Sequence, residues 1–141
     1  MPPTPIASPA GYATANAMAY ADGDGNVAIV SGQQPLPVQK KFAATAPLAG
    51  ATSVTGVFGP FAPALDRSVM LTLSGTWAGT VKVVRSIDGG ATRLPLTVAG
   101  SVWAQFTGNA CEPVWDESES AATLYLDVTL TSGTLVYRLA Q

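Results

Sequence analysis

Residues 68–90, SVMLTLSGTWAGTVKVVRSIDGG, hold the pattern from which the fold of the whole chain is read. Apolar side chains fall at alternate positions, Val69, Leu71 and Leu73, then again Val81 and Val83, with hydroxylated or charged residues between them. A period of two is what a β-strand requires when one face is buried and the other is wet. Ser74–Gly79 is small, polar and glycine-rich, which predicts a tight connection, and Asp88-Gly89-Gly90 predicts a closing turn. The stretch is therefore expected to form a hairpin, Ser68–Leu73 against Thr80–Ile87, with Trp77 at its tip.

The same grammar runs from Val54 to the end. Strands are expected near Val54–Phe58, Ser68–Leu73, Thr80–Ile87, Thr92–Val98, Val102–Phe106, Glu112–Asp116, Thr123–Leu130 and Thr134–Leu139. Short strands punctuated about every ten residues indicate an all-β, antiparallel β-sandwich, jelly-roll or Ig-like, of about eight strands. The alternation is clearest near the end, where Leu124, Leu126, Val128 and Leu130 are expected inside and Tyr125, Asp127 and Thr129 outside. Across a Thr131-Ser132-Gly133 turn, Leu135, Tyr137 and Leu139 continue the buried face, with Val136 and Arg138 outside. Pro60 and Pro63 interrupt any long strand near them, and Pro95 places its strand at an edge or a bulge.

Residues 1–50 differ. They are built from Ala, Pro, Thr, Gly and Gln without sustained periodicity, and are expected as an extended N-terminal arm preceding a sandwich domain at 51–141. Within the arm, Asn26–Ser31 is expected as a short strand after the turn Asp22–Gly25. Pro35-Leu36-Pro37-Val38 should run extended, and residues 10–20 have room for a turn or two of helix. Such an arm orders only by lying on something else.

Composition narrows the functional classes. Of 141 residues, 48% are hydrophobic and 11% charged, and charged residues normally make up about a quarter of a soluble domain. Part of the uncharged surface is therefore expected to be covered by a partner. The net charge is −2 and the seven basic residues are scattered apart from Lys40-Lys41, so no nucleic-acid footprint is present. The first 21 residues are uncharged and Ala-rich, but prolines at 2, 3, 5 and 9 and the missing basic n-region argue against a signal peptide or membrane helix. Cys111 is the single cysteine, which excludes an internal disulfide and fits assembly in a reducing cytoplasm. No neighbouring cation activates it, so it is read as a passive thiol.

Catalytic chemistry finds little to work with. The chain has no histidine, which removes Ser-His and Cys-His pairs and His-containing zinc sites. Glu112, Asp116, Glu117 and Glu119 form the one dense carboxylate group; a two-carboxylate glycosidase would need such a pair, but acidic strand ends and loops are ordinarily solvated, and these are expected to be so. Asp22-Gly23-Asp24-Gly25-Asn26 opens like a calcium loop, yet Val27 and Gln33 stand where the helix-loop-helix version needs Gly and Glu, so a structural turn is expected. Asp88-Gly89-Gly90 has no following helix to make it a phosphate cradle. Trp77, Trp103 and Trp115, with Tyr125 and Tyr137, could line a glycan-binding platform, or serve as core and interface residues. No enzyme, cofactor or metal site is expected.

Three segments together carry a resemblance. Gly75–Val81 (GTWAGTV), Val84–Gly90 (VRSIDGG) and the terminal Ser132–Gln141 (SGTLVYRLAQ) resemble a small β-sandwich protein found among tailed-bacteriophage virion structural proteins, and Asn26-Val27 through Pro35-Leu36-Pro37-Val38 is similar to linkers of phage head and tail appendage proteins. The resemblance covers about residues 55–141 and, loosely, the arm. It implies a virion component without enzymatic role, assembled in the host bacterial cytoplasm, either a capsid decoration or cement protein or a neck, tail or fibre component. The implied partners are the major capsid protein, or another virion structural protein, and further copies of the chain around a three-fold axis. Leu36, Pro37, Val38 and Phe42 in the arm, and Trp77 in the sandwich, are the expected partner contacts. A glycan-binding surface module is a further alternative.

Overall fold

The computed structural model describes residues 18–38 and 44–141. The chain divides between residues 41 and 42 into two units. In the first, β1 (Ala19–Ala21) and β2 (Val27–Ile29) form an antiparallel hairpin with Tyr20 opposite Ala28. Its turn is built by Asp22, whose Oδ1 accepts the backbone N–H of Asp24 at 3.0 Å and of Asn26 at 2.8 Å. That carboxylate, weighed above as a possible calcium ligand, acts here as an Asx turn-former. The expected strand at Asn26–Ser31 is shorter, because Ser31 and Gln34 exchange backbone hydrogen bonds in a second turn. Of the segment allotted to helix, residues 10–17 lie outside the described residues and Ala19-Tyr20 is strand.

The second unit is all-β, with no helix among the described residues. It comprises β3 (Leu48–Thr52), β4 (Gly56–Phe61), β5 (Ser68–Ser86), β6 (Leu94–Pro95), β7 (Thr97–Val98), β8 (Ser101–Val102), β9 (Gln105–Phe106), β10 (Ala110–Asp116) and β11 (Thr123–Ala140). The boundary expected at residue 50 falls inside β3, which pairs with β11.

Both expected hairpins are corrected. Ser68–Leu73 and Thr80–Ile87 are not two arms of a hairpin; they belong to one 19-residue strand, β5, and the two halves of the 123–139 region belong to one 18-residue strand, β11. The two strands pair antiparallel with each other from Thr123↔Ser86 to Ala140↔Met70. Trp77 is accordingly mid-strand, opposite Gly133, and not at a tip. The glycines read as turn signals cluster in the middle of this ladder, with φ of 107° at Gly75, 143° at Gly79 and, opposite Trp77 between them, 85° at Gly133. A register shift between Leu130 and Ser132 leaves Thr131 as an extra residue. Glycine at positive φ plus a bulge bends a strand without ending its pairing.

The bulge also explains the change of parity along β11. Leu124, Leu126 and Val128 are buried at even positions and Leu135, Tyr137 and Leu139 at odd ones, while β5 keeps Val69, Leu71, Leu73, Val81 and Val83 in one parity. The extra residue therefore keeps all of them on one face of the ribbon. These residues join Phe61, Leu96, Ala104 and Val114 in a single hydrophobic cluster. A straight 19-residue strand would run about 60 Å; the bend lets both halves of the ribbon contribute to that single cluster. Flanking strands follow: β9 and β10 lie along the outer side of β5, β4 and β3 along the outer side of β11, in the order β10-β5-β11-β3.

Side chains close the ends. The Gln141 amide accepts from the Ala64 N–H at 2.7 Å and donates to the carbonyls of Ala64 and Arg67 at 3.0 and 2.8 Å, pinning the 62–67 loop to the end of β11. Tyr125, expected outside, is buried, because the loop after β5 folds over it and places the Arg93 guanidinium 5.5 Å from its ring centroid.

A Cβ on Gly79 would run into the carbonyl oxygen of Thr129, whereas one on Gly108 would meet open space. Gly79→Ala is expected to cost about 2 kcal/mol or more, through both φ and collision, and Gly108→Ala under about 1 kcal/mol. Urea unfolding of the two variants checks this; equal losses would mean that the bend does not need glycine.

Candidate functional site

A groove of about 460 Å³ lies where β5 ends. Arg85 to Asp88 form one side, Thr92 and Leu94 to Thr97 the other, and Trp115 from β10 completes it. Pro95 and Leu94 pair with Val84 and Arg85, so β6 is the wall that holds the groove open beside β5. After Leu96 the chain leaves the sheet as the β7–β8 hairpin and returns at Ala104, whose carbonyl accepts the Val83 N–H.

An ion pair underlies the groove. Arg85 Nε and Nη2 donate to the two oxygens of Glu117, each at 2.8 Å, and Nη2 also reaches Glu119 Oε2 at 2.7 Å. Trp115 Nε1 donates to Glu117 Oε2 at 3.1 Å, and the N–H groups of Ser118 and Glu119 donate to Oε1. Glu117 is only 2% exposed. Its carboxyl is held down at about 2, chiefly by the Arg85 hydrogen bonds, against the opposing effect of burial. The expectation that the whole acidic cluster is solvated thus fails at Glu117: a bidentate arginine and three N–H donors compensate its burial. Asp88, at the groove mouth, is likewise lowered to about 2, by the backbone N–H of Thr92 first and the Ser86 hydroxyl second. Neither carboxylate exchanges a proton near neutral pH, so both act as fixed charges. What the groove offers chemically is contact: the indole of Trp115, the apolar walls of Ile87, Leu94 and Pro95, and the Asp88 charge.

The three tryptophans do not line one surface. Trp115 lines the main groove, Trp103 lines a separate pocket of about 190 Å³ with Val102, Phe106 and Glu112, and Trp77 lines neither. Trp103 donates its indole N–H to the Val114 carbonyl at 2.9 Å. Trp77 packs half-buried against the core and donates to Asn109 Oδ1 at 2.8 Å, while Asn109 donates to the Gly75 carbonyl at the bend. Tyr125 and Tyr137, the other candidate platform residues, are buried. In the first unit Leu36 and Val38 are exposed, Val38 at 89%, with Pro37 exposed between them. Phe42 lies outside the described residues. Among the described residues no three His, Cys, Asp or Glu side chains are grouped to hold a metal ion. Cys111 is exposed on β10, with its Sγ 3.7 Å from the Thr72 hydroxyl.

Sequence reasoning passed over the Arg85–Glu117 pair, since 32 residues separate the partners and both looked like surface charges. It also passed over the apolar excursion at 87–103, where Ile87, Leu94, Val98, Val102 and Trp103 are all about half exposed or more. No protein-family model, no curated protein and no solved structure matches this chain.

Removing Arg85 leaves the buried Glu117 carboxylate uncompensated. Arg85→Ala is expected to cost about 3 kcal/mol at pH 7. Because the folded value of Glu117 is depressed from 4.5 to about 2, the stability it contributes is present above about pH 4.5 and lost as the pH falls toward 2. The gap between wild type and Arg85→Ala should therefore narrow through that window. Denaturant titrations at pH 7 and pH 3 measure it; a gap of the same size at both would show that the ion pair is not its source.

Proposed function

We propose that this protein is a structural component of a tailed-phage virion, present in many copies as a capsid decoration or cement protein that docks on the major capsid protein. The observation that best supports the proposal is where the apolar surface lies. In a chain only 11% charged, Ile87, Leu94, Val98, Val102 and Trp103 crowd into residues 87–103, and the small hairpin unit leaves Val27, Ile29, Leu36 and Val38 outside. A two-stranded hairpin is marginal in water by itself, and apolar patches of this kind belong to surfaces that a partner covers.

On this reading the folded-over sheet is a β-sandwich whose leaves are the two halves of the β5–β11 ribbon. Residues 1–50 are the attachment arm, with Leu36, Pro37, Val38 and Phe42 as its anchors against the capsid protein, while Trp77 and the 87–103 excursion meet neighbouring copies, arranged around a three-fold axis. At many copies, weak contacts of each arm add up across the lattice. A neck, tail or fibre component would use the same surfaces at few copies. A glycan-binding module is the remaining reading, and the groove beside Trp115 is the one place that favours it.

Quantitative mass spectrometry of purified particles is expected to find one copy per capsid subunit, or one per three. A handful of copies would move the protein to the neck or tail, and none would overturn the virion assignment. Deleting residues 1–45 should leave the β-strand unit folded by circular dichroism while abolishing binding to undecorated capsids; a truncated chain that still saturates them would remove the arm from the mechanism.

A further inference from the structure

The free edges of the large sheet differ in one respect that bears on assembly. Edge strands expose unpaired N–H and C=O groups, and natural sheets discourage pairing there with proline, charge, bulges or short length. β10 carries Glu112, Pro113 and Asp116 and a register shift between Pro113 and Trp115. β4 carries Pro60 and a shift opposite Leu124 and Leu126. β6 is two residues long and contains Pro95, and β9 is two residues long. β3, Leu-Ala-Gly-Ala-Thr, has none of these: five residues, no proline, no charge, and an unbroken register against β11. Among the described residues it pairs on one side only, with β11.

The strand is also self-complementary. Around a two-fold axis through Gly50, Leu48 faces Thr52 of a second copy, Ala49 faces Ala51, and Gly50 faces Gly50, so no β3 side chain larger than a methyl group stands at the centre, while the Tyr137 hydroxyl of the same chain lies over Gly50. Ala49 and Ala51 are both exposed. Their neighbours on β11 are Arg138 and Val136 respectively, so each cross-strand row reads Val136, Ala51, then Ala49 and Arg138 of the second copy, and like charges never meet. We infer that β3 is the docking edge for a second copy of this chain, pairing antiparallel and in register about Gly50 to join two seven-stranded sheets into one continuous sheet. The pairing is two-fold, a different symmetry from the three-fold packing in the proposed function, and it does not rest on the virion assignment: the purified chain alone suffices to test it.

Five residues a side make a small junction, so the pair forms as concentration rises. Sedimentation of the full chain over a wide concentration range is expected to show a shift from one chain mass to two. Ala49→Lys with Ala51→Lys sets lysine against lysine at both junction positions and should raise the concentration needed at least tenfold. Ala49→Glu with Ala51→Lys sets opposite charges face to face and should restore pairing. These side chains point to solvent, and circular dichroism confirms that each variant is folded. As an independent measurement in a Cys111→Ser background, an Ala49→Cys chain mixed with an Ala51→Cys chain should cross-link on oxidation far more than either alone. A chain that stays monomeric at every concentration, a three-chain species, or pairing indifferent to the charge variants together with unselective cross-linking would each overturn the inference.

Discussion

Nearly everything in the second unit depends on the backbone ladder between Ser68–Ser86 and Thr123–Ala140, the two longest strands, paired through a shared bend. Each strand supplies the other with partners for N–H and C=O groups that would otherwise be buried and unpaired. The bend is possible because Gly75 and Gly79 on one strand, and Gly133 on the other opposite Trp77 between them, adopt positive φ, and because Thr131 is bulged out. Without the bulge, the residues of β11 beyond it would present their polar side chains inward. With it, Leu135, Tyr137 and Leu139 stay on the face that Leu124, Leu126 and Val128 began. The flanking strands then need only follow the ribbon, which explains how two of them, β6 and β9, can be two residues long and still keep their places.

Charge is used sparingly and locally. Arg85 draws in Glu117 and Glu119 at the end of β5, Ser68 donates to Asp116 at its start, and the uncharged amide of Gln141 closes the far end of β11. Polar bonding is spent at strand ends and turns, where the ladder cannot satisfy the backbone, and the broad faces are left to apolar and hydroxylated side chains. Exposed apolar side chains gather in the excursion at 87–103. Beside Trp115 the hydrogen bonds that hold the loops together also keep Asp88 and Glu117 ionised.

Tyr125 shows how a tertiary contact overrides a correct local pattern. It alternates with Leu124 and Leu126 as an outward residue should, and a strand read alone gives no reason to bury it. The loop following β5 lies over that outer face and brings Arg93 against the ring. Trp77 is the converse case. Its place between two glycines suggested a hairpin tip, and the tie to Asn109, 32 residues away, holds it instead against the core beside the bend.

From the sequence by itself come the all-β class, the strand faces and the core residues of the two long strands, because a period of two records which side of a strand is dry regardless of what it pairs with. Val69, Leu71, Leu73, Val81, Val83 and the alternating leucines of the last strand were legible in this way. Only the tertiary structure decided the connectivity. Glycine next to small polar residues permits positive φ equally in a turn that reverses the chain and in a bend that continues it, and local chemistry does not distinguish them. The choice was made by pairing: as two hairpins each strand would bond mainly to its own sequence neighbour, whereas as one bent ribbon each half gains a partner on both sides, and the sheet can fold over its own apolar face. The Arg85–Glu117 pair and the groove above it follow from that long-range choice, so they had no local signal to be read.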